Sequence, residues 1–269
     1  MLLFLVPLKS SKMSNSWENT CMLLERSLKS ICAQTSSDFK VLVVCHEQPS
    51  LEFQHPAIEF LSVDFATPKP INYEDEFPMR EARRDKHRKI LQGILHAQQV
   101  QPSHIMLMDA DDLVSNSLAA FVEQHKSEPG WYIDRGFEYF EGNGQLFPIK
   151  HRFYGKCGSS HIVRFDILEK IAQTTSLEEI SPRFLHHQDV QKFVKEQGFS
   201  LSPLPFPGAV YITNHGDNMW ASQGVLLKRY GQTPKAFILF YLRKLFKAIV
   251  SQKKSAALIQ EYGIYDVPS

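Results

Sequence analysis

Near the middle of this 269-residue chain an apolar run, His104-Ile105-Met106-Leu107-Met108, leads straight into Asp109-Ala110-Asp111-Asp112. Packing gives no reason for three carboxylates at the mouth of a buried-type strand. Strand periodicity would set Asp109 and Asp111 on one side and Asp112 on the other. Two unit charges about 4 Å apart repel by about 4 kcal/mol at an effective dielectric of 20, so such a pair calls for a proton or a cation. The hard divalent ions Mg²⁺ and Mn²⁺ take one or two carboxylates and complete their shell with water and substrate phosphates. The plainer reading is that Asp111 or Asp112 caps a helix opening near Ser115.

Other residues with chemical potential stand in similar places. The stretch Arg80-Glu81-Ala82-Arg83-Arg84-Asp85-Lys86-His87-Arg88-Lys89 holds six Lys or Arg in ten residues. On a helix Arg80, Arg84 and Arg88 form one stripe, with Arg83 and Lys86 on a neighbouring one. A solvated basic face is the ordinary meaning of such a run. Glu47 follows the β-rich run Val41 to Cys45, and Asp64 falls at the end of another, Ile58 to Phe65. Further along, Phe184-Leu185-His186-His187-Gln188-Asp189-Val190 opens an amphipathic helix whose first turn holds Asp189, a position that also suits an N-cap. Adjacent histidines on a helix point about 100° apart, so His186 and His187 do not readily share one metal ion. His215 follows a β-type run and precedes Gly216, and Trp220 has a face that can stack on a sugar ring or simply pack.

The elements that must carry these residues alternate. Strands are expected at Leu2 to Leu8, Lys40 to His46, Ile58 to Phe65 and His104 to Asp109, with helices at Ser16 to Gln34 and Met79 to Gln99. Met22, Leu23, Leu24, Leu28 and Ile31 recur at spacings of three and four, with Ser14, Asn15 or Ser16 as N-cap. This order predicts an α/β fold, a mainly parallel central sheet with helices on both faces, in which ligands sit beyond the carboxyl ends of the strands. After Asp112 a helix at Ser115 to His125, strands near Trp131 to Tyr139 and Ser160 to Arg164, and a helix at Asp166 to Gln173 read as added α+β material.

Composition narrows the partners. Thirty Lys and Arg balance 29 Asp and Glu, 43% of residues are hydrophobic and 12% aromatic, which excludes a disordered chain and a general nucleic-acid binder. Cys21, Cys32, Cys45 and Cys157 lack metal-ligand or disulfide spacing and suit a reducing cytoplasm as small core residues. The apolar start is broken by Pro7 and Lys9 and does not read as a secretory signal. No run reaches the length of a membrane span.

Strand 1 ending in Pro7, the helix after it, Val41 to Cys45 followed by Glu47, the basic helix and Met108-Asp109-Ala110-Asp111-Asp112 together resemble the GT-A glycosyltransferases of the family-2 type, over roughly residues 2 to 220. The resemblance implies a Rossmann-like sheet that binds a nucleoside diphosphate sugar, a UDP-sugar in the first place, with Mn²⁺ or Mg²⁺. It puts Asp109 near the ribose or sugar, Asp111 on the metal, Glu47 on the base, and Pro7, Asp64, Arg83 and Lys86 around the donor, with Asp85 orienting Lys86. His215 matches a late histidine that ligates metal or diphosphate. Asp189 matches the general base of an acidic pair whose other place is held here by Gln188, and Asp112, His187 and Trp220 fall on the acceptor side.

The organisation expected is one GT-A domain over 1–222, with a nucleotide-binding half (1–112) and an acceptor-side half (113–222), followed by a C-terminal helical tail, 223–269. Within the tail, 234–254 is apolar but studded with Arg and Lys, a pattern that fits peripheral contact with an anionic membrane or packing on the core. The expected activity is inverting, metal-dependent transfer of a single sugar to a hydroxyl on a glycan or lipid-linked acceptor, in the cytoplasm or at the inner face of the membrane. The chain has no Gln-x-x-Arg-Trp string, so repeated extension is not expected. The alternatives are an inactive carbohydrate- or nucleotide-binding module on the same fold and a nucleotidyltransferase. The second usually carries a Gly-rich loop where this chain reads Pro7-Leu8-Lys9-Ser10-Ser11-Lys12.

Overall fold

The computed structural model describes residues 1–68, 76–142, 144–213, 215, 252–253 and 255–265, with backbone only for 76–79 and 252–253. Trp220 and nearly all of the 234–254 stretch lie outside the described residues.

The first half follows its hydrophobic pattern. Strands β1 (Leu2–Pro7), β2 (Phe39–Cys45), β3 (Ile58–Ser62) and β4 (His104–Leu107) run parallel in the spatial order β3-β2-β1-β4. Beyond β4 the sheet continues through β9 (His161–Arg164), which is antiparallel, then β6 (Gly130–Tyr132) and β10 (Ser202–Pro203). Alternate residues of β1 divide between two cores. Leu2, Phe4 and Val6 pack with Leu24, Leu28 and Ile31 of α1 (Trp17–Cys32) and Leu118 and Val122 of α3 (Leu118–Gln124). Leu3 and Leu5 pack on the other face with α2 (Glu76–His96), α4 (Phe165–Gln173) and α5 (Val190–Glu196). A sheet covered on both faces explains why β2 reads as an unbroken apolar run. Of the three possible caps for α1, Ser16 is the one used, accepting from the Asn19 N–H at 3.2 Å. The mainly parallel α/β architecture expected from the alternation is the one observed.

The remaining strands of the second half form a separate five-stranded sheet, β12-β8-β7-β11-β5, from β5 (Leu113–Val114), β7 (Gly136–Phe140), β8 (Gln145–Ile149), β11 (Ala209–Thr213) and β12 (Gln252–Lys253). Its core holds Phe137, Tyr139, Val210, Ile212 and Tyr262, the last from α6 (Ala256–Tyr262).

Several boundaries differ from expectation. β4 ends at Leu107, before Asp109, and β3 ends at Ser62, leaving Asp64 beyond it. α3 begins at Leu118, three residues after Ser115. α5 begins at Val190, so Asp189 occupies the N-cap position instead of the first turn. Among the described residues no helix is long and apolar enough to cross a membrane.

Candidate active site

The segment 108–112 carries the chain from β4 in one sheet to β5 in the other, turning at Ala110 and Asp111. That turn cancels the strand alternation. Asp109, Asp111 and Asp112 each present an oxygen within 4.8 Å of the others, so all three carboxylates converge. Their environments differ sharply. Asp112 is 1% exposed. It accepts from Ser159 Oγ at 2.7 Å, Cys157 Sγ at 3.1 Å and the Ile212 N–H at 3.2 Å. It therefore ties the loop before β9 to β11 across the two sheets. Its expected place on the acceptor side does not fit this burial, and it does not cap α3, whose N-cap is Ser117. Burial, then the charges of Asp111 and Asp109, push its carboxyl well above the usual carboxylate range. Asp109 and Asp111 keep about a third of their side chains exposed.

Two basic side chains from distant parts of the chain face this pair. Lys86 on α2 contacts Asp109 Oδ1 directly. Burial acts to lower the Lys86 pKa, but the carboxylates of Asp109, Asp111 and Asp112 outweigh it and hold the ammonium above its ordinary value. His215, after β11, is 2% exposed at its side chain and sets Nε2 3.0 Å from Asp111 Oδ2. Its backbone carbonyl is anchored on α1 by Asn19 Nδ2 at 3.1 Å. Among the described residues Nδ1 of this buried imidazole has no hydrogen-bond partner, and buried side-chain polar atoms are seldom left so. Burial works to raise Asp111, yet His215, Lys9 and Lys86 bring it below the usual carboxylate range. Oxygen donors in close array beside a buried imidazole fit a divalent ion of the Mg²⁺ or Mn²⁺ kind.

The basic helix is not a solvated face. Lys89 is 0% exposed at its side chain and donates to Asp85 Oδ2 at 2.6 Å, while Asp85 Oδ1 lies 2.8 Å from His46 Nε2. Asp85 thus serves His46 and Lys89, not Lys86 as expected, because it points to the sheet while Lys86 points to the aspartates. Arg84 pairs with Glu81 at 2.8 Å, and Arg88 donates to the Leu177 carbonyl at 3.1 Å and lies over the Phe65 ring. Arg83 is partly buried on the same helix.

Around the rim, Glu47 accepts from the Ser11 N–H of the loop after β1. Burial acts to raise its carboxyl, but the Ser11 bonds and the charges of His46 and Lys89 hold it below the usual range. Pro7 is the buried last residue of β1, paired with Val44, whereas Asp64 stands exposed. Asp189 makes no side-chain cap to α5 and lies 2.6 Å from Arg183 Nη2. His187 donates from Nδ1 to the Tyr154 carbonyl at 2.6 Å and sits 4.2 Å, ring to ring, from His186. These two rings follow Leu185, which takes the unusual φ of 47°. Burial lowers the His187 pKa, with Asp109, Lys86 and Asp189 all within electrostatic reach.

Sequence reasoning missed Cys157, Gly158 and Ser159. Ser159 Oγ accepts from the Asp109 N–H at 2.9 Å as it donates to Asp112. Cys157 is a buried free thiol; of the four cysteines expected in the core, Cys45 and Cys157 are buried, whereas Cys21 and Cys32 are only partly so. Only the small-residue string Cys157-Gly158-Ser159-Ser160 hinted at a tight polar approach.

Neither protein-family models nor curated proteins match this chain. Solved structures that resemble it include S. aureus TarS, at 14% identity and a TM-score of 0.41, covering 79% of this chain and 36% of that one. TarS 1-349 in complex with UDP gives 14% identity and a TM-score of 0.39 over 79% of this chain and 60% of that one. Francisella tularensis 2-C-methyl-D-erythritol 4-phosphate cytidylyltransferase (IspD) gives 13% identity and a TM-score of 0.38 over 86% and 99%. This chain thus spans about a third of the TarS chain. Likenesses this distant decide nothing about the activity, which has to be argued from the site.

Proposed function

We propose that this chain is an inverting, metal-dependent glycosyltransferase that moves one sugar from a nucleoside diphosphate sugar, a UDP-sugar in the first place, to a hydroxyl on a glycan or lipid-linked acceptor. The observation that carries the reading is the convergence of Asp109 and Asp111 at the carboxyl end of β4, with the buried His215 imidazole on one side and Lys86 on the other. In open α/β sheets this end of the strands is where ligands bind. Asp111 and His215 would hold Mn²⁺ or Mg²⁺, joined by Asp109, whose convergence with Asp111 favours the ion over the ribose or sugar to which the resemblance assigned it; the ion would supply Lewis-acid stabilisation to the charge growing on a leaving diphosphate.

The remaining roles belong to the chain's own residues. Lys86 and Arg83 on α2 bind phosphate oxygens, while Pro7, Glu47 and Asp64 at the ends of β1, β2 and β3 border the nucleoside. Asp189, oriented by Arg183, takes the proton from the acceptor hydroxyl. That oxygen attacks the anomeric carbon from the face opposite the diphosphate, the carbon–oxygen bond to the diphosphate breaks, and its electron pair departs on the diphosphate. Attack from the opposite face inverts the anomeric centre. His187 and Trp220 are assigned to the acceptor side.

The test is incubation with Mn²⁺ or Mg²⁺ and UDP-, GDP- and dTDP-sugars, scoring the nucleotide product. Metal-dependent release of a nucleoside diphosphate, abolished by Asp111→Asn, is the expected result. Nucleotide binding without turnover for any donor and acceptor overturns the reading in favour of a binding module. Release of inorganic pyrophosphate from a nucleoside triphosphate would instead mark a nucleotidyltransferase.

A further inference from the structure

We propose that Lys86 is a displaceable counter-cation of Asp109, which has to leave that carboxylate for a divalent ion to enter and is drawn off by the diphosphate, so that ion and diphosphate bind cooperatively. The inference deepens the sugar-transfer reading and rests on it.

The basic side chains around the cluster are held unequally. His215 faces Asp111 from a buried position fixed by Asn19, whereas Lys86 holds Asp109 from a side chain that is 36% exposed. The backbone beneath Lys86 is pinned one residue before and three residues after. Asp85 and Lys89 are locked to each other and to His46 in the core. What remains able to move is the four-carbon stem of Lys86, a flexible carrier for a compact charge. An ion approaching Asp109 while that ammonium is in place meets like charge at short range in a partly desolvated cleft. A diphosphate changes the balance, since its oxygens accept the ammonium as readily as a carboxylate does. Lys86 then exchanges one anion for another, and the Asp109 oxygen is released to the ion. Because coupling between two ligands is reciprocal, the ion must tighten diphosphate by the same factor.

The experiment titrates the full chain with Mn²⁺, counting free ion by electron paramagnetic resonance, alone and with inorganic pyrophosphate. A protein-free titration accounts for the manganese that pyrophosphate holds in solution. Wild type, Lys86→Met and Lys86→Arg are compared, with Lys86→Gln in parallel should the methionine variant fail to fold. Wild type and Lys86→Arg should bind Mn²⁺ about tenfold more tightly with pyrophosphate than without, within the usual range of coupling. Lys86→Met should bind Mn²⁺ alone about tenfold more tightly than wild type and lose most of the gain from pyrophosphate. If wild type binds Mn²⁺ but neither neutral variant binds it more tightly in the absence of pyrophosphate, the counter-cation role is wrong while the transfer reading stands. If no form binds Mn²⁺ under either condition, the metal assignment at Asp109 and Asp111 fails and this proposal fails with it.

Discussion

The carboxylate of Asp109 lies against the bare α-carbon of Gly158: a β-carbon at Gly158 would stand 2.2 Å from Asp109 Oδ2 and 2.7 Å from its carboxyl carbon. Gly158 belongs to the same short loop whose Cys157 and Ser159 side chains donate to Asp112. One loop therefore sets the position of two of the three converging carboxylates. Gly158→Ala should push the Asp109 carboxylate aside. A displacement of about 1 Å at a reacting centre can cost on the order of 100-fold in rate. The expected outcome is a loss of that size in donor turnover and weaker Mn²⁺ binding. Wild-type turnover and Mn²⁺ affinity in this variant would show that the contact does not set the site.

The buried His46–Asp85–Lys89 network makes a prediction about stability. Removing one partner of a buried ion pair leaves the other charge uncompensated and typically costs about 3–5 kcal/mol. Asp85→Asn should lower stability by about that much in urea unfolding, because Lys89 is 0% exposed at its side chain. The double variant Asp85→Leu/Lys89→Met should recover a good part of the loss. Additive losses in the double variant would mean that the two charges are not coupled.

Asp189 makes no side-chain cap to α5, so Asp189→Asn should leave the melting temperature nearly unchanged. Nucleotide affinity should likewise hold, while turnover falls by about 10²- to 10⁴-fold, the usual loss on removing a general base. Arg183→Ala should give a smaller fall, since it only frees the carboxylate. An Asp189→Asn enzyme that turns over at the wild-type rate would remove Asp189 from the chemistry.

Acid should destabilise the fold through two buried histidines, His104 and His161. Burial lowers His104 to about 4, and burial, then the charge of His187, lowers His161 to about 3, against 6.5 in the unfolded chain. Between those values the unfolded chain binds more protons, so this contribution is intact above pH 6.5 and is lost as pH falls toward 4 and 3. The loss should be on the order of a few kcal/mol over that window. The urea midpoint measured from pH 7 to 4 should decline, and His104→Gln should flatten the decline. A slope unchanged in that variant would clear His104 of the effect.

Much of the architecture was legible in the chain. The 3.6-residue spacing through Leu24, Leu28 and Ile31, the Ser16 cap and the unbroken run Val41 to Val44 each specify local structure from nearest neighbours, and burial on both faces of β1 follows from them. The Asp109 and Asp111 pair was legible too, because charge at the end of a buried strand has no packing reason to be there. Three features were not. The strand alternation predicted Asp112 on the opposite side, but the turn at Ala110 and Asp111 brings it back under the other two. The partners of these aspartates come from Lys86, Cys157, Ser159, Ile212 and His215, up to about a hundred residues away in the chain. Asp85, adjacent to Lys86, proved to serve Lys89 and His46, since on a helix residues four apart share a face while neighbours do not. Periodicity and capping are short-range and could be read directly. Which distant groups neutralise a buried charge depends on how two sheets close on one another, and only the folded chain decides that.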